Sequence, residues 1–515
     1  MPGTSPGPRP AGPAGTRIYL AVAASAIVVY IGALWNRWAW DDIPIIVYNP
    51  LLLSPSAIWR AFLTPYSPPQ LGGSLYRPLA IASYALDLRL SGSPAWFHAV
   101  NLLWHAGAST AVALVARRVS GDRAALVAGL LFATHPVHVE AVANVVGRAE
   151  LMAALFALLA VYAAMVADQP WWHLAALAGG VLSKENAAVV PGLIVWGWVL
   201  GIARPSARRA ALYVGTWAAL AVAYAAARWA VLHPFAELQN IAPVFVGAHP
   251  VEIRLTAVAA FADVARLLVF PATLRVDYSP AERTLVSTVA DPRFAVGLAC
   301  VLVWAGLVAL AWRRGRKVEA WGIGWIGLAF SPVANLLFPV GVLVAERTLY
   351  LPSAGLALAL GAWLPAATPR LWPVVVATLV VAGGLRAALR VPVWRHEMTV
   401  IMSEFQDSPR SFDGPARMVR VYLGARRPDK ALDAFHIAER IYDKMPWLYV
   451  TGADAALALG RSATADSLLG RLNELCHRCA HYYRFEAGAA LARGDTVVAD
   501  SLVRRANQLD DSKGP

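Results

Sequence analysis

About eleven apolar runs, most of them long enough to cross a lipid bilayer as a helix, constrain this chain more than any other feature. They fall near residues 18–35, 96–116, 124–141, 151–167, 171–183, 186–202, 210–231, 294–312, 320–338, 349–366 and 371–389. Bilayer hydrocarbon gives the backbone no partner, so such runs read as helices that satisfy their own N–H and C=O groups. The chain is 58% hydrophobic and 15% charged, where a soluble domain carries roughly 25% charge. The expected fold class is therefore all-α: a polytopic membrane helix bundle of about eleven spans, followed by a small α-solenoid.

The net charge of +13 over 515 residues would suggest nucleic acid in a soluble chain. Here the excess arginine sits in short loops between apolar runs, where it acts as a topology signal, so no nucleic-acid partner is expected. With residues 1–16 as a disordered cytoplasmic tail, the count of crossings places Arg117, Arg118 and Arg123, then Arg204, Arg208 and Arg209, then Arg313, Arg314, Arg316 and Lys317 in the cytoplasm. The same count leaves Asp41-Asp42, the 135–150 segment, Ser183-Lys184-Glu185, the 232–254 loop and Glu346-Arg347 on the outer face of the cell membrane. Residues 17–392 form the expected membrane domain, with a long first outer loop at 37–95. Residues 253–275 are apolar but carry Asp263 and Arg266, and are expected to be re-entrant or interfacial.

After Trp394 the composition becomes soluble, and residues 393–515 are expected to be extracytoplasmic. Ala431, Ala465 and Ala499 recur at a spacing of 34, followed four residues later by Phe435, Leu469 and Val503 and seven later by Ala438, Leu472 and Ala506. Small residues at that period let paired helices approach closely, which is the pattern of tetratricopeptide repeats. Cys476 and Cys479 flank His477-Arg478 between the second and third repeats. They are a disulfide candidate, with a metal site or free thiols as the alternatives.

Two adjacent carboxylates, Asp41 and Asp42, follow the first run. A carboxylate stranded at mid-bilayer costs about 2.5–3.5 kcal/mol, so the pair is expected to face water or a cavity. It is either a reactive centre or a solvated, helix-capping pair. Other motifs lie at the same face: Tyr76-Arg77-Pro78-Leu79, the Phe97-to-His105 segment, His135-Pro136-Val137-His138-Val139-Glu140, Val146-Gly147-Arg148-Ala149-Glu150, Ser183-Lys184-Glu185, Val276-Asp277-Tyr278-Ser279 and Ala345-Glu346-Arg347-Thr348-Leu349-Tyr350. Jointly, from about residue 38 to 355, they resemble the membrane O-mannosyltransferases that combine transmembrane spans with tetratricopeptide repeats, within the C-type glycosyltransferase superfamily. With only about three repeats, this chain departs from animal members, which carry many more.

The resemblance implies inverting transfer of a hexose, mannose in the first instance, from a polyprenyl-phosphate carrier to a hydroxyl of a protein acceptor docked on the repeats. The residues fit that chemistry. A Ser or Thr hydroxyl needs a carboxylate to take its proton as it attacks the sugar carbon; Asp41 is expected as base, with Asp42 orienting. Arg77, Arg148, Lys184 and Arg347 are expected to face the charge that grows on the leaving phosphate, unless Arg148–Glu150, Lys184–Glu185 and Arg347–Glu346 are merely local pairs. His135, His138 and Glu140 are candidates for hydrogen bonding to substrate, for a divalent metal site, or for span-end structure. No resident cofactor is required, because the lipid-linked sugar is a substrate. The rival expectations are transfer to a lipid or cell-wall glycan on the same scaffold, and a non-catalytic membrane adaptor.

Overall fold

The computed structural model describes residues 13–67, 75–233, 241–278, 280–476, 480–492 and 494–511. No strand occurs among them. The membrane part contains α1 (Pro13–Tyr30), α2 (Ala57–Arg60), α3 (Pro78–Leu90), α4 (Pro94–Ala133), α5 (Val139–Ala143), α6 (Arg148–Met165) and α7 (Pro170–Ser183). It continues with α8 (Val190–Val199), α9 (Ala207–Leu232), α10 (Pro250–Val269), α11 (Pro292–Arg313), α12 (Lys317–Phe330), α13 (Tyr350–Ala367) and α14 (Trp372–Arg390). The C-terminal helices are α15 (Glu397–Asp407), α16 (Asp413–Gly424), α17 (Pro428–Ile441), α18 (Pro446–Ala458), α19 (Ser462–Cys476), α20 (Ala480–Ala492) and α21 (Thr496–Asp511).

Seven segments of the described residues are long and apolar enough to cross a membrane: Gly15–Trp35, Pro94–Ala133, Val145–Met165, Ala207–Leu232, Pro292–Arg313, Glu346–Ala367 and Trp372–Trp394. This is a multi-pass membrane protein. Pro94–Ala133 carries two of the eleven apolar runs, because α4 breaks at Gly121, whose φ of 86° and ψ of −175° no residue with a Cβ adopts readily. The two halves fold back on each other closely enough that a Cβ at Gly129 would lie 2.9 Å from that of Ala113. The three remaining runs form the shorter helices α7, α8 and α12, of 14, 10 and 14 residues.

Loops gather into two groups. In one, Asp168 accepts from Arg209 and from Tyr213, and Arg204 and Lys317 both approach Gly201. In the other, the backbone N–H of Arg37 donates to the carbonyl of Arg395 at 2.7 Å, and Arg77, Glu140, Glu185 and Arg347 pair across the chain. α10 is one continuous helix of 20 residues and is not among the segments long and apolar enough to cross a membrane. Arg254 near its start binds the carbonyl of Leu337, and the carbonyl of Leu268 near its end accepts from His135. Asp263, buried within it, holds Arg283 through two bonds of 2.6 Å.

In the C-terminal part, α16–α17, α18–α19 and α20–α21 pack as pairs. Ala431, Ala465 and Ala499 are each the fourth residue of their helix and each is buried. Phe435, buried in the α17–α18 contact, sits so close to Gly452 that any Cβ there would overlap its ring. The Cys476–Cys479 pairing falls partly outside the described residues, as does Ser279.

Candidate active site

The turn carrying the acidic pair has an unusual backbone. Trp40 adopts a left-handed conformation with φ 57°, which costs a non-glycine residue about 1–3 kcal/mol unless its surroundings hold it. Directly after it, Asp41 and Asp42 diverge in environment. Asp42 is 1% exposed; its Oδ1 accepts the N–H of Val146 at 2.9 Å and its Oδ2 that of Ala39 at 3.2 Å. Burial pushes its pKa up to about 7, against those two backbone donors, which favour the charged form. Asp42 thereby ties the loop after α1 to the Val146-Gly147-Arg148 turn. That turn is tight enough that a Cβ at Gly147 would lie 2.2 Å from the carbonyl oxygen of Ala141.

Asp41 has a half-buried side chain. Burial raises its pKa, while Arg347 and Arg417 pull it down and Glu140 and Asp413 push it up again. One carboxylate is thus committed to structure, and its neighbour lies in the field of two guanidinium groups.

Arg347 follows the 331–345 loop, which delivers it to Glu140. Its backbone N–H donates to Glu140 Oε2 at 2.8 Å, and its guanidinium pairs with Oε1. The Arg347 side chain is still 31% exposed and Glu140 only 2%, so the arginine is anchored on one side and open on the other. Lys184 pairs with Glu150, both largely buried; burial lowers the lysine's pKa. Arg77 makes a two-pronged bond to Glu185, with Nε to Oε2 at 3.0 Å, and its guanidinium lies 5.1 Å from the centre of the Tyr66 ring. That pairing holds the Glu185 carboxyl down at about 2 against its burial. The alternative local pairs Lys184–Glu185 and Arg347–Glu346 do not form; Lys184–Glu150 and Arg347–Glu140 form instead, and with Arg77–Glu185 they knit separate loops together.

Arg148 corrects an expectation. Its guanidinium is 0% exposed, pairs with Asp87 at 2.5 Å, and bonds to Asn101 Oδ1 at 2.8 Å, to Ser83 and to the carbonyl of Phe97. Its donors are enclosed by protein, so it supports the site without reaching a phosphate. Glu346 likewise faces inward: it accepts from the backbone N–H of Arg275 and from Tyr278 at 3.2 Å, holding the 270–282 segment. Both histidines bond to other parts of the protein. His135 accepts from the N–H of Val137 at 3.2 Å and bonds the carbonyl of Leu268 at 3.0 Å. His138 meets Ser353 Oγ at 2.7 Å, its ring 4.4 Å from that of Tyr350. The three side chains weighed as metal ligands, His135, His138 and Glu140, are turned to three separate partners. No group of three or more metal-ligating side chains occurs among the described residues.

Arg417 is the residue that sequence reasoning missed. It lies on α16, and its guanidinium sits 3.2 Å from the centre of the Trp40 ring while Nε donates to Asp413 Oδ2 at 2.8 Å. An Asp and an Arg four apart on an amphipathic helix read as a solvated surface pair, and nothing local marks this one as packed against the acidic turn.

Comparison with known proteins settles what the chain is related to. No family model matches it. Human protein O-mannosyl-transferase TMTC4 is 28% identical over 461 residues, covering 76% of this chain and 62% of that protein. Human protein O-mannosyl-transferase TMTC3 is 27% identical over 419 residues, covering 73% and 46%. By sequence, the relatives of this chain are protein O-mannosyl-transferases. It spans less than two thirds of the length of either human protein. Among solved structures, an oligosaccharyltransferase from Archaeoglobus fulgidus aligns with TM-score 0.40 at 14% identity, covering 94% of this chain and 72% of that one.

Proposed function

We propose that the chain is a membrane glycosyltransferase that moves a hexose, mannose in the first instance, from a polyprenyl-phosphate carrier to a Ser or Thr hydroxyl of a protein, with inversion at the sugar carbon. The observation that carries this reading is the division of labour in the acidic pair: Asp42 fixes the loop through two backbone N–H groups, while the half-buried Asp41 beside it makes no such bond among the described residues and lies within the field of Arg347.

Asp41 takes the proton of the acceptor hydroxyl as its oxygen bonds to the anomeric carbon. The bond from that carbon to the phosphate oxygen breaks, and the electron pair leaves with the polyprenyl phosphate. Arg347, held by Glu140 and open on its other side, offers its charge to the phosphate oxygens as negative charge grows there. Arg77 and Lys184, paired and less exposed, set the field behind it. The donor is a substrate, so the site asks for no resident cofactor. The acidic turn and the C-terminal helices lie on the extracytoplasmic side, with the arginine-rich loops in the cytoplasm, and those helices hold the acceptor as tetratricopeptide repeats.

The test is incubation of the purified protein with polyprenyl-phosphate mannose, polyprenyl-phosphate glucose and a Ser/Thr-rich peptide or a glycan acceptor. Sugar-modified peptide supports the reading, product on the glycan alone moves the acceptor class, and absence of transfer from either donor overturns it.

A further inference from the structure

The C-terminal helices do more in this structure than stand beside the membrane bundle. α16 sends Arg417 across to the first outer loop, where the guanidinium carbon sits over the Trp40 ring, 3.2 Å from its centre. Trp40 holds the strained left-handed conformation immediately before Asp41, so whatever grips its ring also fixes the direction in which Asp41 leaves the turn. Arginine suits this place better than lysine, because a planar guanidinium both stacks on indole and keeps its charge at any working pH. Behind it, Asp413 anchors Arg417 from the same helix, and Glu404 of α15 is buried nearby.

We propose that Arg417 is a positioning residue of the transfer site: stacked on Trp40, it fixes the turn that carries Asp41 and sets a permanent positive charge beside that carboxylate. The proposal rests on Asp41 being the base. It makes the C-terminal unit part of the catalytic centre as well as an acceptor platform. The charged and titratable groups around Asp41 are Arg347 from the turn before α13, Glu140 from α5, Arg417 and Asp413 from α16, and Asp42 and Tyr66 from the first outer loop. Two of these are fixed cations. Removing one leaves a half-buried carboxylate with Arg347 alone to favour its charged form.

The experiment is the pH–rate profile of mannose transfer from polyprenyl-phosphate mannose to a Ser/Thr-rich peptide, using the full chain and its Arg417→Gln and Arg417→Lys variants. Loss of a nearby opposite charge raises a carboxyl pKa by about 1 unit or more, so Arg417→Gln moves the acid limb up by at least that amount. Arg417→Lys, which keeps the charge and loses the flat stack, leaves the limb near its wild-type position while slowing transfer several-fold. A merely structural arginine would lower the rate equally at every pH. An unmoved acid limb in Arg417→Gln, in a wild type that transfers sugar, overturns this proposal and spares the transferase reading; a wild type without activity overturns that reading instead. Should Arg417→Gln fail to fold, Arg417→Lys carries the test alone: a transfer rate equal to wild type, with the flat stack lost, overturns the proposal.

Discussion

Arg347 grips one carboxylate, that of Glu140, with both its backbone N–H and its guanidinium, across 207 positions of sequence. The double attachment brings the turn just before α13 to α5 and leaves the arginine side chain 31% exposed, its charge felt by Asp41. In the proposed reaction, replacing Arg347 by Gln removes a fixed cation from the leaving phosphate, and loss of one such donor typically costs about 10²–10³ in rate. The expected result is a fall of that order in the turnover of transfer. Glu140→Gln keeps Arg347 present and loosens it, so its turnover falls less; both are read from initial rates at saturating donor.

Arg148 and Asp87 form a buried pair whose removal should be felt in stability. Arg148→Met leaves the Asp87 carboxylate buried without its cation, at a cost of about 3–5 kcal/mol. Thermal unfolding in detergent should show a large drop for Arg148→Met and substantial recovery in the Arg148→Met, Asp87→Leu double variant, since an apolar pair of similar volume restores packing without an orphaned charge.

Much of this could be read in advance from residue patterns. Each of the eleven apolar runs contains helix, because a run of that length has no other way to satisfy its backbone in lipid. The alanines spaced by 34 occupy the same position in α17, α19 and α21, because close helix packing demands a small residue there. What sequence did not reveal was pairing. Arg148, Lys184 and Arg347 each have an acidic residue one or two positions away, and each takes a distant one instead, because neighbouring side chains at helix starts point in different directions. Arg417 was invisible for a related reason: its contact with Trp40 joins residues 377 positions apart, and no local periodicity records such a contact.

Glu404 gives a pH signature to the C-terminal unit. It is buried, and burial together with the neighbouring Asp413 raises its pKa well above the ordinary glutamate value. A carboxyl that holds its proton more tightly when folded contributes stability that is complete below the unfolded pKa and is lost as pH rises through the folded one. The unfolding temperature should therefore decline from pH 5 toward pH 9, and Glu404→Gln, which fixes the neutral form, should flatten that decline. A variant with the same slope as wild type would show that Glu404 does not titrate in this range.

The most direct measurement is single-turnover transfer from polyprenyl-phosphate mannose to peptide by wild type, Asp41→Asn and Asp42→Asn, with donor binding measured in parallel. Loss of a general base costs about 10²–10⁴ in rate. Asp41→Asn should lose that much while binding donor within a few-fold of wild type, and Asp42→Asn should lose both activity and stability, since an amide cannot accept both backbone N–H groups. An Asp41→Asn protein that transfers sugar at the wild-type rate would contradict the assignment of Asp41 as the base.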